Sequence, residues 1–252
     1  MKRLTLLVFP LVLAALFSLI PGDAWAQQLN LDLGEGPATS TRLIQITLLV
    51  TVITLAPSIL MMVTCFTRVV VVLSFLRSAI GVQQTPPNVV LISLALFLTF
   101  FVMQPSFEKA WDDGMKPLMN NEIDEETAFE RTVDPFAAFM TKHTREKDLG
   151  LFMSMAKIEP SSKQIKGAEA PPLRALVPAF MLSELRRAFE IGFLVYLPFL
   201  IIDMVIASLL MSMGMMMLPP TVISMPFKII FFVLVDGWYL IAGSLVKSYG
   251  GG

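Results

Sequence analysis

Histidine and cysteine are almost missing from this sequence: His143 and Cys65 stand alone among 252 residues. One cysteine excludes an intrachain disulfide. One histidine excludes a multi-histidine metal site, so no metal is expected. No HExxH, GxSxG, Walker loop or CxxC occurs, which leaves catalysis without a nucleophile–base pair and gives no reason to expect an enzyme or a cofactor. Charge is scarce too. Asp, Glu, Lys and Arg make up 15% of the chain and sum to −1, so there is no basic footprint for nucleic acid. Apolar residues fill the remainder: 55% of the chain is hydrophobic and the mean hydropathy is +0.71, beyond an ordinary soluble domain. The expected fold is all-α and membrane-associated. About four long, broken apolar helices form hairpins, with an outward-facing helical segment between them.

The first 26 residues have the three parts of a cleavable signal peptide. Lys2 and Arg3 are the basic start, Leu4 to Ile20 the apolar run, and Ala24-Trp25-Ala26 an A-x-A cleavage site. Cleavage after Ala26 would put the mature start at Gln27, outside the cytoplasm of a bacterium. Residues 27–42 read as a short flexible segment, and 43–104 as a first helical hairpin containing Pro57, where a proline should kink or break the helix. Residues 105–177 read as an extracytoplasmic helical segment, with one periodic helix from Asp134 to Met155. Residues 178–252 read as a second hairpin, with expected helix breaks at Pro198, Gly214, Pro219 and Pro220. The stretch from Thr67 to Asn88 holds Arg68 and Arg77 and no acid. By the positive-inside rule it should face the cytoplasm, and 106–178 should face outward.

Two groups of residues stand out against the apolar background. Met211, Met213, Met215, Met216 and Met217 cluster at the Gly214 and Pro219-Pro220 break. Thioethers on unbranched chains are soft and adaptable, which suits either gap-filling core or a constriction built from several copies. They also suit Cu(I), but no Cys or His accompanies them. The second group is charge in apolar surroundings: Glu190, Asp203, Lys228 and Asp236. Such groups are costly at membrane depth and face protein or a water path. They either pair, within the chain or between subunits, to fix register, or relay protons; no row of carboxylates along one face supports a relay. Ser208 and Ser212 would allow close helix approach. Cys65 reads as packed core, and His143 as part of a solvated or interfacial face.

Several long strings go further than composition. They are RVVVVLSFLRSAIG (Arg68–Gly81), QQTPPNVVLISLALFLTFFVMQ (Gln83–Gln104), TREKDL (Thr144–Leu149) and VPAFMLSELRRAFEIG (Val177–Gly192). LPFLIIDMVIASLLMSMGMMMLPP (Leu197–Pro220) and PFKIIFFVLVDGW (Pro226–Trp238) complete the set. Through them residues 43–247 resemble the FliP family, flagellar biosynthetic proteins of the type III export gate. The virulence secretion homologues share the fold. The resemblance implies a channel-forming subunit at the bacterial inner membrane, in the flagellar basal body, that passes unfolded flagellar proteins across the bilayer. It implies five copies assembling with FliQ and FliR, FlhB wrapping the base and FlhA beneath, in a helical funnel partly above the bilayer. It implies a methionine-rich constriction at Met213, Met215, Met216 and Met217, and buried charges between subunits at Glu184, Asp203 and Lys228. The competing readings are an ion or small-solute transporter, which inverted repeats would favour, and the equivalent subunit of a virulence system.

Overall fold

The computed structural model describes residues 37–82, 85–158, 171–215 and 217–250. Two compact units divide the chain, Met1–Val52 and Ile53–Gly252. The expected signal peptide, with Ala24 and Ala26, lies outside the described residues. All regular structure among the described residues is helical: α1 (Pro37–Val63), α2 (Phe66–Ile80), α3 (Asn88–Lys109), a π-helical turn (Ala110–Met115), α4 (Lys116–Met119), α5 (Glu125–His143), α6 (Glu146–Met155), α7 (Leu173–Ser212), α8 (Pro220–Leu234) and α9 (Gly237–Gly250).

The core forms around α2. Phe66, Val69, Val72, Leu73, Leu76, Ala79 and Ile80 recur at helical spacing and are all buried. Leu91, Ala95 and Leu98 of α3, Ala188 and Phe199 of α7, Phe232 of α8, and Ile241 and Leu245 of α9 close over them. Each large aliphatic side chain removed from water here contributes roughly 1.5–3 kcal/mol. The stretch expected to face the cytoplasm, Thr67–Asn88, therefore holds most of the central helix of the core. Its Arg68 is not a surface cation and cannot report orientation. Arg77, in the last turn, donates to Asn88 Oδ1 at the start of α3.

Helix boundaries differ from the expected ones at both ends of the first hairpin, since α1 begins at Pro37 inside the stretch read as flexible and α3 runs through Pro105 to Lys109. They differ in three further places. First, α7 is unbroken over 40 residues and runs through Pro178 and Pro198. A proline removes one backbone bond at a cost of about 3 kcal/mol, and the remaining bonds of so long a helix carry it across. Second, the single helix expected over Asp134–Met155 is two, α5 and α6, and α5 begins earlier, at Glu125. Thr144 and Arg145 are extended, and the Arg145 backbone N–H donates to Ser183 Oγ at 3.1 Å instead of to a preceding helical carbonyl. Third, the last apolar run is split between α8 and α9, which meet at 63°, with Asp236 at φ 51° in the turn. The Asp236-Gly237 pair was the sequence signal for it. By length and composition, Asn88–Met119 and Leu173–Ser212 can cross a membrane; the count rises to four if each bent pair, Ile46–Val63 and Pro220–Gly250, is one span.

Candidate functional site: buried charges and a methionine turn

Glu184 sits in the first half of α7 with its neighbour Ser183, and both are fully buried. Glu184 faces α2 and α9. Arg68 Nε donates to its Oε2 at 2.9 Å while Nη2 donates to Oε1, a two-pronged ion pair with no solvent access. The Tyr249 hydroxyl donates to the same Oε2. The third guanidinium nitrogen of Arg68 donates to Ser248 Oγ at 3.0 Å, and its carbon lies 3.8 Å from the Tyr249 ring centre. One arginine thus fastens three helices. Such an arrangement stabilises a fold only when its buried groups are well paired; here each of the three guanidinium nitrogens donates a hydrogen bond and both Glu184 oxygens accept.

Ser183 faces the other way. Its hydroxyl donates to Asp148 Oδ2 at 2.6 Å, and Asp148 accepts two further bonds from Arg145 at 2.8 Å each. The Arg145 guanidinium holds the Asp148 carboxyl below the usual carboxylate range, helped by Ser183. His143 closes this region. It is buried, not solvated as expected, with ring centres of Phe139 and Tyr249 at 4.6 and 5.0 Å. Burial, and after it the charges of Arg68, Lys142 and Arg187, push its pKa down to about 4, so it is neutral at physiological pH. Cys65 packs with Met103 and Tyr249, and burial pushes its thiol up to about 12.

A second pair joins α7 to α8. Lys228 Nζ donates to Asp203 Oδ2 at 2.6 Å and to the Ala79 carbonyl at 3.0 Å. Ser224 donates to the other carboxylate oxygen. The Ala79 carbonyl belongs to the last turn of α2, whose unsatisfied carbonyls attract a cation. A cleft of about 580 Å³ opens beside the pair, lined by Arg77, Tyr196, Asp203 and Lys228 among others. Glu184, Asp203 and Lys228 therefore each have an ionic partner within the chain. Asp236 is exposed and has no ion-pair or side-chain hydrogen-bond partner among the described residues.

The methionine turn is built by its capping. α7 ends at Ser212, and Gly214 takes φ 73°. Its N–H donates to the Met211 carbonyl at 3.1 Å, and the Met215 N–H reaches back to Leu210 at 2.9 Å. This is the Schellman pattern, which needs a left-handed residue just past the helix. Pro219 then caps α8 and Pro220 is its first residue, a position that lacks no bond by having no N–H. Between them Met211, Met213, Met215 and Met217 are exposed, Met217 almost completely at 98%; Met216 lies outside the described residues. Pro57 is exposed on α1, at the bend of that helix.

The FliP family profile matches residues 49–245, from α1 through most of α9. The chain belongs to the FliP family. It is 55% identical over 240 residues to the flagellar biosynthetic protein FliP of Caulobacter vibrioides, covering 94% of this chain and 89% of that one. It is 52% identical over 221 residues to the Bacillus subtilis FliP, with 88% and 98% covered. It is 48% identical over 248 residues to the Aquifex aeolicus FliP, with 98% and 99% covered. FliP membership and the apolar helices make it a membrane protein of the flagellar apparatus. The FliP match takes in Arg68, Glu184, Asp203, Lys228 and the methionine turn, and stops just short of Ser248 and Tyr249. Neither of those two, nor Arg68 as a buried ion, was found by reading the sequence. The available signal was an arginine heading the apolar string RVVVV, with a lone glutamate in VPAFMLSEL to answer it.

Proposed function

We propose that the chain is a channel-forming subunit of the flagellar type III export gate. Several copies, five by family resemblance, surround a path for unfolded flagellar proteins, with FliQ and FliR completing the ring, FlhB and FlhA adjoining it, and the whole seated in the inner membrane. The methionine turn carries the reading. Met211, Met213, Met215 and Met217 surround the Gly214 cap and are exposed, with nothing among the described residues to cover them. The helices on either side expose Phe193, Ile201, Met204, Val205, Ile230 and Leu234, more apolar surface than a solitary soluble subunit tolerates. Copies packed through these faces would bring their methionine turns together. Unbranched thioethers can seal against one another and repack around irregular side chains. Asp203 and Lys228, closed on each other and on Ala79, support packing and oppose a proton relay.

The test is Met215, Met216 and Met217 changed together to Ala. The oligomer is expected to form normally and the purified complex to conduct small ions in planar bilayers, with export continuing through the widened path. A triple variant that assembles and stays as tight as the parent would reduce these methionines to packing.

A further inference from the structure

At the junction of α6, α7 and α9 three guanidinium groups converge on a cavity of about 290 Å³: Arg68, Arg145 and Arg187, with Glu190, Ile191 and Ser248 completing the wall. Two of the three are neutralised behind the wall, Arg68 by Glu184 and Arg145 by Asp148. Glu190 is taken by Arg186 at 2.9 Å. Arg187 is half-buried and has neither an ion-pair nor a hydrogen-bond partner among the described residues. Counting the wall and the partners behind it gives four arginines against Glu184, Asp148 and Glu190, a surplus of one positive charge. A half-buried guanidinium without an ion-pair partner attracts an anion, and its planar fork favours phosphate or carboxylate oxygens.

Position along α7 narrows the choice. Arg187 and Glu190 stand where charge stops: from Ile191 to Ser212 only Asp203 carries a charge at neutral pH, and that stretch belongs to a helix able to cross a membrane. Beyond Ile191 the helix exposes Phe193 and Leu194. An anion here would sit at one end of an apolar surface, the arrangement of a phospholipid with its headgroup in the cavity and its chains along the helix. We propose that the Arg187 cavity is a phosphate site that takes an anionic lipid headgroup.

The test uses the intact protein in nanodiscs of phosphatidylcholine with and without phosphatidylglycerol, extracted and read by native mass spectrometry. Parent protein is expected to retain phosphatidylglycerol. Arg187→Gln, which breaks no ion pair, should lose it roughly tenfold to a hundredfold, the range for one charge-assisted bond. Arg186→Gln, an exposed neighbour, is expected to change retention less than about twofold. Inorganic phosphate added at millimolar concentration separates the sources: displacement of lipid by phosphate in the parent but not in Arg187→Gln assigns the site to solution phosphate. Equal losses in the two variants would mean diffuse surface attraction, and undiminished retention in Arg187→Gln would mean no site; either overturns the proposal.

Discussion

Removing Arg68 or Glu184 singly leaves the other charge stranded in a closed core. Arg68→Ala or Glu184→Ala is expected to cost about 3–5 kcal/mol, seen as a large drop in folded yield and melting temperature in detergent. Arg68→Met combined with Glu184→Leu should recover most of it, because a buried pair replaced by packed apolar groups is often neutral. His143 carries a pH dependence whose sign follows from its depressed pKa. Below about 6.5 the unfolded chain binds a proton that the folded chain refuses until about 4. Stability should therefore be level above pH 6.5 and fall by up to about 3 kcal/mol between there and pH 4. Asp148, also depressed, adds its loss only below the ordinary carboxylate range. Thermal melts across pH 4–8 check this: His143→Phe should flatten the slope, and an unchanged slope would place the titration elsewhere.

Among the elements, the π-helical turn brings Gly114 against α5. A Cβ at Gly114 would meet Thr132 and the Ala128 carbonyl at 3.0 Å or less, and these are partly backbone atoms that cannot swing away. Gly114→Ala should cost about 1–3 kcal/mol. Gly150, inside α6 with nothing within 4 Å of its would-be Cβ, is the matched control. Gly150→Ala should be neutral or stabilising by about 0.5–1 kcal/mol. Most of the helices were readable because their apolar positions recur at helical spacing, as in α2. Pro198 misled because a proline's local penalty is visible in sequence whereas the length of helix that absorbs it is not. The bend at Asp236 was missed because the apolar composition is the same on both sides of it.

For the whole molecule, Lys228 is the residue at which the proposed assembly of subunits is put to the test. Lys228→Ala frees Asp203 and leaves the Ala79 carbonyl without its donor. Loss of the stable oligomer on a native gel is expected, with the subunit itself destabilised. Asp203→Asn with Lys228→Met should restore assembly; restored assembly without export would give the pair a role in transport. Charge in an apolar run was enough to single out Asp203 and Lys228, since burial forces such groups to pair. Their partners within the chain were not legible, because the turn at Gly214 that folds α8 back onto α7 sets the register, and residue type alone does not encode it. The unpartnered Arg187 was hidden for the opposite reason: in sequence it sits at helical spacing from Glu190, and only the fold shows Arg186 taking that carboxylate.

The three-helix knot at Arg68 also sets an order of events during synthesis. Glu184 follows Arg68 by 116 residues and Ser248 by 180. At roughly 5–20 residues per second, a ribosome takes on the order of ten seconds to deliver the carboxylate, and longer for the serine and for Tyr249. Until then the nascent chain holds a guanidinium in the first turn of a largely apolar helix without the carboxylate that will neutralise it. α2 must wait near water, or in the keeping of the insertion machinery, while nearly three quarters of the chain is made. The earliest helix of the core is thus completed last.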